Sequence, residues 1–315
     1  MKVVVLNGAK VNYDGLAGYE SLGDEVVCYD ASSPEQYAER AEGAEVLVSK
    51  ELPMNADSIR ALPDCVRLIC EAGTGYNNID LAACREKGIQ VANVPAYSTD
   101  RVAQTAVMML LNLSSEMGKQ IRALEKGDRS NFTKYLGVSH TEVNGKTLGV
   151  VGAGNIGGKV IEIAKALGMN VLVYTRTPKD FGPGTKNVSL EELLKESDYV
   201  TLHCPLTPAT KHIINAETLR LMKPTACLIN ASRGALVDEP ALIKALQEGR
   251  LAGAGLDVQE TEPPLADNPL YDMSNVILTP HMGWKGLETR QRLVQVLADN
   301  IAAYARGEKH NIVSE

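Results

Sequence analysis

The segment that decides the fold runs from Thr147 to Gly157 and reads TLGVVGAGNIG. Its first five residues are typical of a buried strand, and the residues from the motif to Gly168 have the apolar spacing of a helix. Three glycines, at 152, 154 and 157, form a GxGxxG pattern at this strand-to-helix turn. The first permits a tight bend, the second lets a pyrophosphate approach the backbone, and the third permits close packing of helix on strand. The segment therefore predicts a dinucleotide-binding domain rather than a glycine turn that only ends a strand.

Short apolar runs alternate with segments of helical periodicity on both sides of this motif. Such alternation predicts an α/β fold with parallel sheets covered by helices. The runs before the motif predict a five-stranded unit with helix starts at Ser33, Asn55 and Asp80. The runs from the motif onward predict six strands, the count of a doubly wound dinucleotide-binding domain. The predicted strands are 3–6, 26–29, 46–48, 68–70 and 89–92 in the first set, and 147–151, 171–174, 199–203, 226–230, 252–256 and 276–278 in the second.

Two further helical patterns set the predicted domain boundaries. Residues 99–126 lack proline and carry a long apolar stripe, which predicts one long helix able to connect two domains. Residues 287–304 also have helical periodicity, and their place beyond the last predicted strand lets them return to the first unit. We therefore predict a discontinuous substrate domain at 1–98 and 286–315, and a dinucleotide-binding domain at 99–285.

The composition excludes several classes of partner and site. With 44% hydrophobic and 23% charged residues, the 315-residue chain has an ordinary globular composition. Its formal net charge of -7 disfavours nucleic acid as a partner. The apolar run 106–111 is too short to span a membrane, and the N-terminus lacks a signal-peptide layout, so we expect a cytoplasmic protein. Because the six cysteines form no CxxC pair, we expect neither a disulfide framework nor a metal site.

The residues after the second strand of the dinucleotide-binding domain indicate which cofactor binds. Tyr174-Thr175-Arg176-Thr177 lacks the carboxylate that normally accepts the ribose hydroxyls of NAD. Arg176 instead offers a guanidinium suited to a 2′-phosphate. The sequence thus favours NADP. The alternative is that Arg176 lies in solvent and that NAD binds through the threonine hydroxyls alone.

Three side chains follow predicted strands where a substrate would meet a nicotinamide: Arg233, Glu262 and His281. Arginine can bind a carboxylate through two parallel hydrogen bonds, histidine can transfer a proton near neutral pH, and an adjacent carboxylate favours imidazolium. Each residue alone has an ordinary alternative as a loop side chain or, for Arg233, as a cation on the cofactor. The chain lacks the G-x-S-x-G pattern of serine hydrolases. Together the three residues suffice for carbonyl reduction.

Several segments together resemble the D-isomer-specific 2-hydroxyacid dehydrogenase family nearly from end to end. They are 152–157, 203–206 (HCPL), 230–234 (NASRG), 253–258 (GAGLDV), 262–263 (EP) and 279–281 (TPH). The resemblance implies that Arg233 binds the substrate, that His281 is the acid/base and that Glu262 tunes the histidine. It also implies that the smaller substrate domain is flavodoxin-like. The expected cofactor contacts, from the motifs and the resemblance together, are Gly152, Gly154, Asn155, Ile156, Gly157, Thr175, Arg176, Thr177, His203, Cys204, Pro205, Ala231, Ser232, Asp257 and Gly283.

Within the family, the segments 74–80 (TGYNNID), 95–100 (PAYSTD) and 281–284 (HMGW) resemble the glycerate dehydrogenase (hydroxypyruvate reductase) branch. The resemblance implies that the backbone N–H groups of a glycine turn bind the substrate carboxylate, as an anion nest can. Trp284 is expected to join this site. Lys50, just after strand 46–48, is either a second cation there or a surface lysine. The turn consists of Gly73, Thr74 and Gly75.

We therefore expect NAD(P)H-dependent reduction of a small 2-oxoacid, hydroxypyruvate or glyoxylate, to the D-2-hydroxyacid. The expected assembly is a homodimer, with the predicted helix 99–126 as a two-fold contact. One alternative is a dehydrogenase for another 2-oxoacid, because loops shape the pocket. Another is a non-catalytic dinucleotide-sensing protein, which Trp284 and the complete Arg-Glu-His set disfavour.

Overall fold

Two parallel sheets, each with its own helices, make up residues 1–314, the part of the chain that the computed structural model describes. The first unit comprises Met1–Ser98 and the C-terminal segment from Trp284 onward, and the second is Thr99–Gly283. Trp284 and Lys285, which the sequence-based boundary placed in the dinucleotide-binding domain, therefore lie in the first unit. Glu315, the last residue of the predicted substrate domain, lies outside the described residues.

The first unit contains five parallel strands: β1 (Lys2–Val5), β2 (Glu25–Cys28), β3 (Val46–Ser49), β4 (Leu68–Glu71) and β5 (Gln90–Ala92). Their order is β2-β1-β3-β4-β5, which is the flavodoxin-like order. Every side chain of the central strands β3 and β4 is buried, as expected for a parallel sheet covered on both faces. The predicted α/β class is confirmed.

Three short helices of the first unit begin where the sequence predicts helix starts. They are α1 (Tyr37–Arg40, after the 3-10 turn Pro34–Gln36), α2 (Ala56–Arg60) and α3 (Leu81–Glu86). Ser33 and Gln36 form a capping box, the Asn55 side chain accepts from the Ser58 N–H, and the Asp80 side chain accepts from the Ala83 N–H. Each cap satisfies a backbone donor that the first helical turn leaves without a partner. Further 3-10 turns lie at Gly8–Lys10 and Glu20–Leu22.

The single long helix predicted for residues 99–126 is wrong, because the chain forms α4 (Thr99–Ser114) and α5 (Met117–Glu125). Glu116 lies between them with a left-handed φ of 46°. The hydroxyls of Ser114 and Ser115 both donate to the Leu111 carbonyl. Side-chain donors that occupy a helix carbonyl compete with the next backbone N–H groups and favour an end to the helix. The apolar stripe continues through the break, which is why periodicity did not detect it.

The second unit contains seven parallel strands: β6 (Thr147–Val151), β7 (Asn170–Tyr174), β8 (Thr185–Asn187), β9 (Tyr199–Leu202), β10 (Cys227–Asn230), β11 (Gly253–Leu256) and β12 (Val276–Leu278). The predicted count of six is wrong, because β8 is a polar edge strand without an apolar signal. The strand order is β12-β11-β10-β9-β6-β7-β8. The chain places β7 and β8 on one side of β6 and then places β9 to β12 on its other side, so the strand order reverses between β6 and β9. Doubly wound sheets bind dinucleotides at such a switch point, outside the carboxyl ends of the strands.

The remaining helices are α6 (Ser130–Thr133), α7 (Asn155–Ala166), α8 (Leu190–Glu196), α9 (Ala216–Leu219), α10 (Glu239–Gln247) and α11 (Leu287–Ala305), with 3-10 turns at Gly234–Leu236 and Pro269–Tyr271. The last of these, α11, buries Leu293, Leu297 and Ile301 in a core shared with the first sheet. None of the helices within residues 1–314 combines the length and apolar character of a membrane span. The same residues hold no group of three or more histidine, cysteine, aspartate or glutamate side chains suited to a metal ion.

Candidate active site

The GxGxxG segment forms the turn from β6 into α7. Gly152 has a φ of +93°, and a Cβ atom added there would lie 2.5 Å from the backbone nitrogen of Cys204. A Cβ atom on Gly157 would lie 2.0 Å from the carbonyl oxygen of Gly152. On Gly154, by contrast, an added Cβ atom meets nothing within 4 Å. Two glycines are therefore required by close packing, and the middle one leaves the backbone open to a ligand.

The start of α7 suits the phosphates of a dinucleotide. Gly154 is its N-cap and supplies no side-chain acceptor. The first N–H groups of a helix have no intrahelical partner, and the helix dipole favours an anion beside them. At the start of α7 these groups belong to Asn155, Ile156 and Gly157. The turn and the helix start together fit a pyrophosphate.

The end of β7 lies beside the same turn, because the Gly152 N–H donates to the Tyr174 carbonyl at 2.8 Å. Beyond Tyr174, Thr175 is partly buried, whereas Arg176 and Thr177 are exposed. This edge of the site thus carries one cation and two hydroxyls and no carboxylate. It is chemically suited to the 2′-phosphate of an NADP molecule.

His203 follows β9 and packs under the glycine turn, where a Cβ atom on Gly157 would lie 3.4 Å from the His203 Cβ. Its Nε2 atom is 2.9 Å from the Thr201 hydroxyl. Its Nδ1 atom is buried and has no hydrogen-bond partner within residues 1–314. Burial lowers the pKa of His203 to about 4. A neutral imidazole at neutral pH is poorly suited to donate a proton.

The turn after β10 holds Arg233 through a set of local hydrogen bonds. The Asn230 amide accepts from the Ser232 N–H at 3.1 Å and donates to the Arg233 carbonyl at 2.9 Å. The Ser232 hydroxyl donates to the Cys204 carbonyl at 3.0 Å, which ties this turn to the neighbouring one after β9. The guanidinium is partly buried and makes one hydrogen bond inside the described chain, from Nη1 to the Ser232 carbonyl at 2.8 Å. Its other donors are suited to a bidentate contact with a carboxylate.

His281 and Glu262 form a close pair in the second unit. The His281 Nδ1 atom lies 2.8 Å from the Glu262 Oε2 atom, and both side chains retain partial exposure. His281 has a left-handed φ of 48°, an uncommon conformation for a residue other than glycine. Since Nδ1 is occupied by the carboxylate, Nε2 is the ring atom available to a reacting group. The pair has the geometry of a general acid oriented by a carboxylate.

Asp257 holds the loop that presents His281. It is 1% exposed, and its carboxylate accepts from the Thr279 hydroxyl at 2.5 Å, the Met282 N–H at 2.8 Å and the Gly283 N–H at 2.7 Å. Its carbonyl accepts from the His281 N–H at 2.9 Å. Asp257 was predicted as a cofactor contact, and the contacts that the structure shows for its carboxylate are with the histidine loop. Three hydrogen bonds to one buried carboxylate fix the strained backbone in place.

The Arg233 turn also touches the segment that carries Glu262. A Cβ atom on Gly234 would lie 1.8 Å from the Gln259 carbonyl oxygen, so only glycine fits there. The Gln259 N–H in turn donates to the Glu262 Oε1 atom at 3.1 Å. Both carboxylate oxygens of Glu262 are thus engaged, one by Gln259 and the other by His281. The backbone at Gly234 thus packs directly on the backbone at Gln259, and this contact is the crossing of the two loops. The crossing joins the Arg233 turn to the segment that carries Glu262 and, through Glu262, to His281.

In the first unit, the predicted substrate turn follows β4. Its shape is set by the Thr74 hydroxyl, which donates to the Val94 carbonyl, and by the Asn93 amide, which donates to the Thr74 carbonyl. The backbone N–H groups of Gly73, Thr74 and Gly75 have no acceptor within residues 1–314. Consecutive N–H groups without acceptors make a site for a carboxylate.

Lys50 is buried, which removes the alternative that it is a surface lysine. Its side chain is 4% exposed, with Nζ 2.7 Å from the Glu51 Oε1 atom and 4.3 Å from the centre of the Trp284 ring. The Asn7 side chain fixes its backbone by donating to the Lys50 carbonyl at 2.7 Å and accepting from the Lys50 N–H at 2.9 Å. The ammonium therefore occupies one defined place at the carboxyl edge of the first sheet.

Sequence reasoning did not identify Glu71 or Asn7 as parts of this site. Glu71 is fully buried and accepts from the Ser49 hydroxyl, the Glu51 N–H and the Asn78 amide at 2.8–3.0 Å. Burial raises the pKa of Glu71, and the nearby charge of Lys50 opposes the rise. The available signal was a carboxylate that ends an otherwise apolar strand, because such a residue is seldom buried without a charged or hydrogen-bonding partner.

Comparison with known proteins identifies the family to which the chain is similar. The family described as "D-isomer specific 2-hydroxyacid dehydrogenase, NAD binding domain" matches residues 107–283. The chain is 37% identical to a hydroxypyruvate reductase of Blautia hydrogenotrophica, with all of both chains covered. It is 40% identical to a glycerate dehydrogenase of Methylorubrum extorquens, with 89% of each covered. Among solved structures, a D-2-hydroxyisocaproate dehydrogenase superposes with a TM-score of 0.88 at 30% identity, with all of both chains covered.

Proposed function

The chain belongs to the D-isomer-specific 2-hydroxyacid dehydrogenase family, and from that premise we propose that it reduces hydroxypyruvate or glyoxylate to the 2-hydroxyacid. It is an enzyme of 2-hydroxyacid chemistry that uses a nicotinamide dinucleotide. The observation that carries the proposal is the 2.8 Å pair of His281 and Glu262. That pair lies in the same unit as the dinucleotide turn at Gly152.

In the proposed mechanism, the Arg233 guanidinium binds the substrate carboxylate and the carbonyl oxygen through charge-assisted hydrogen bonds. The reduced nicotinamide, when bound, supplies the hydride. His281 donates a proton from Nε2 to the carbonyl oxygen as negative charge develops there. Glu262 orients the imidazole through Nδ1 and balances its charge. In the reverse direction, His281 takes the proton from the hydroxyl group.

We assign the carboxylate contact in the first unit to the turn Gly73, Thr74 and Gly75. The three N–H groups that lack acceptors there support this assignment. The buried Lys50 and the Trp284 ring against it would form the adjoining wall. The groups proposed to recognise the substrate carboxylate and its neighbouring substituent thus lie in the first unit.

We propose NADP as the preferred cofactor. The end of β7 presents Arg176 with Thr175 and Thr177, and it has no carboxylate to repel a phosphate. A guanidinium makes strong charge-assisted contacts with phosphate oxygens. The preference is measured as the ratio of kcat/KM for NADPH to that for NADH.

We also propose a homodimer formed through α5 and the segment after it. Met117, Ile121 and Leu124 form one stripe of α5 and are 40–49% exposed. Phe132 and Tyr135 are 76% and 79% exposed. An apolar patch of this extent is typical of a protein interface. Light scattering on the wild type and on Ile121→Asp tests the proposal, and a monomeric wild type would contradict it.

The proposed reaction is tested by reduction of a panel of 2-oxoacids, followed by loss of the absorbance of reduced nicotinamide. Hydroxypyruvate or glyoxylate should have the highest kcat/KM. Binding of NADPH without turnover of any 2-oxoacid would instead support a dinucleotide-sensing protein. Turnover restricted to another 2-oxoacid would support the alternative dehydrogenase.

The role of Arg233 is tested in the same assay. Arg233→Ala should lower kcat/KM at least about 100-fold and leave NADPH affinity unchanged, because an unpaired substrate anion costs more than about 3 kcal/mol. Arg220→Ala is the matched control, since Arg220 is an exposed arginine of the same unit at the end of α9. Turnover like that of the wild type in Arg233→Ala would refute the assignment.

A further inference from the structure

The group that calls for an explanation is the ammonium of Lys50. A charge withdrawn from water costs several kcal/mol unless it is paired, so a buried lysine needs compensation. Lys50 obtains it from the Glu51 carboxylate at 2.7 Å, the face of the Trp284 ring at 4.3 Å and the nearby Glu71. The burial of this one ammonium group is thus compensated by two acids and by the only tryptophan of the chain.

The ammonium lies directly against the proposed carboxylate turn. A Cβ atom on Gly73 would be 3.1 Å from the Lys50 Nζ atom and 3.5 Å from the Glu71 Oε1 atom. Among the described residues, Nζ donates one hydrogen bond, to Glu51. Another side of the ammonium is covered by Trp284 in a cation–π contact. An ammonium has three N–H donors, so one remains for a group bound at the turn.

Two acidic side chains, Glu51 and Glu71, lie near Lys50 in the first unit. Glu51 pairs with Lys50 through Oε1 and with Lys10 through Oε2 at 3.2 Å. Glu71 is the second acid, and its carboxyl group accepts from Ser49, Glu51 and Asn78. The Lys285 Nζ atom lies 6.0 Å from the centre of the Trp284 ring, farther from the ring than the Lys50 Nζ atom at 4.3 Å. An ammonium that is already paired with a carboxylate, as Lys50 is with Glu51, attracts a second anion less strongly, but it can donate a hydrogen bond to a neutral oxygen.

We propose that Lys50 is a specificity-determining residue that donates to the C3 hydroxyl of hydroxypyruvate, with Glu71 and Trp284 as the positioning residues that hold its ammonium at the Gly73 turn. The inference rests on the proposed function and names the substrate group that the first unit recognises. The three backbone N–H groups of the turn take the carboxylate. Lys50 then donates a hydrogen bond to the hydroxyl group on C3.

This arrangement selects against 2-oxoacids with an apolar C3 substituent. A methyl group in place of the hydroxyl would cover the remaining N–H donor of Lys50 and leave it without a partner. Sites built to bind a substrate hydroxyl discriminate strongly against analogues that lack it, because a buried polar group is left unsatisfied. The sharpest comparison is hydroxypyruvate against 2-oxobutyrate, in which a methyl group replaces the hydroxyl.

The experiment measures kcat/KM for hydroxypyruvate, 2-oxobutyrate and glyoxylate in the wild type and in Lys50→Met. The wild type should prefer hydroxypyruvate over 2-oxobutyrate at least about 100-fold. In Lys50→Met the ratio should fall to within about tenfold, through a loss of about 10- to 100-fold with hydroxypyruvate. Glyoxylate has no C3 and should lose several-fold less than hydroxypyruvate.

Lys10→Met is the matched control. It removes the same charge from the same carboxylate, Glu51, but the Lys10 side chain is half exposed, whereas that of Lys50 is buried. Its substrate ratio should equal that of the wild type. If Lys50→Met fails to fold, the double variant Lys50→Met with Glu71→Gln replaces it, because it also removes the buried acid that Lys50 compensates. The double variant should show the same collapse of the ratio.

The outcomes separate this inference from the proposed function. If the wild type reduces hydroxypyruvate and 2-oxobutyrate equally, Lys50 does not recognise the C3 hydroxyl and the inference is wrong, although the proposed reductase function stands. If Lys50→Met lowers all three substrates by the same factor, Lys50 binds the carboxylate and the inference is wrong. If the wild type reduces no 2-oxoacid, the proposed function itself fails, and this inference with it.

Discussion

Gly234→Ala tests whether the crossing of two backbones positions the proposed catalytic set. The new Cβ atom would lie 1.8 Å from the Gln259 carbonyl oxygen and 2.5 Å from the Glu260 nitrogen, whereas real Cβ atoms essentially never come closer than 3.0 Å. The segment at Gln259 must therefore move by at least about 1.2 Å relative to the Arg233 turn. No flexible side chain can absorb the shift, because both contacts are with backbone.

Two hydrogen bonds would transmit this displacement to the proposed acid/base pair, Glu262 and His281. Gln259 donates to the Glu262 Oε1 atom, and the Glu262 Oε2 atom orients His281. A misplacement of about 1 Å at a catalytic group costs roughly 10²-fold in rate. We expect kcat/KM for hydroxypyruvate to fall by about that factor, and the free energy of unfolding to fall by about 1–3 kcal/mol. NADPH affinity should fall by a smaller factor than kcat/KM, because the two short contacts of the new Cβ atom are with Gln259 and Glu260 and not with the Gly152 turn.

The assay combines steady-state kinetics, NADPH titration and thermal unfolding, with kinetics recorded well below the melting temperature. Gly158→Ala is the control, because a Cβ atom there meets only the Phe181 ring, at 3.9 Å. Replacing this interior glycine of α7 should stabilise the chain by about 0.5–1 kcal/mol and leave turnover unchanged. A Gly234→Ala variant that is folded and turns over like the wild type would show that the crossing does not position Glu262.

Three further predictions concern single side chains. His281→Gln should lower kcat about 10²- to 10⁴-fold at saturating substrate without changing NADPH affinity, and a smaller loss would exclude His281 as the proton donor. The wild type should favour NADPH over NADH by roughly one to two orders of magnitude, and Thr175→Asp should reverse the ranking of kcat/KM, because a carboxylate accepts ribose hydroxyls and repels a 2′-phosphate. Because the pKa of His203 is about 4 when folded and about 6.5 when unfolded, the unfolded chain binds the proton first as the pH falls. Urea unfolding should show that the wild type loses up to about 3 kcal/mol more than His203→Gln between about pH 7 and pH 4, and an equal loss would contradict the burial argument.

The parts of the fold that could be predicted from the sequence are those with a local signal. Buried parallel strands are continuous apolar runs, and the strands on either side of the glycine turn were found to within one or two residues. β8 was missed because Thr185–Asn187 is a polar edge strand, held by its pairing with β7. The break at Glu116 was missed because it depends on serine hydroxyls that compete for one carbonyl, a contact that apolar periodicity does not register.

The candidate site divides in the same way. Arg233, Glu262 and His281 could be proposed from the sequence because each follows a strand and has a side chain with distinctive chemistry. The contacts that position these residues could not be predicted from the sequence, because the crossing of Gly234 and Gln259 joins two separate loops. Lys50 was left undecided for the same reason. Its burial depends on residues from three strand ends and on Trp284, more than 200 positions away along the chain.

The two units use the carboxyl ends of parallel strands in different ways, and this bears on how the enzyme could change its substrate. In the second unit the polar groups at the strand ends contact one another across several loops, so a substitution such as Gly234→Ala disturbs the chemistry as a whole. In the first unit Lys50 is seated by its own counter-ions, and the three N–H groups of the turn are backbone atoms that do not depend on side-chain identity. A change at Lys50 can therefore alter which C3 substituent is accepted while the carboxylate contact and proton transfer persist. Substrate preference should accordingly vary with residue 50 and its acidic partners, and reaction type with the set around His281.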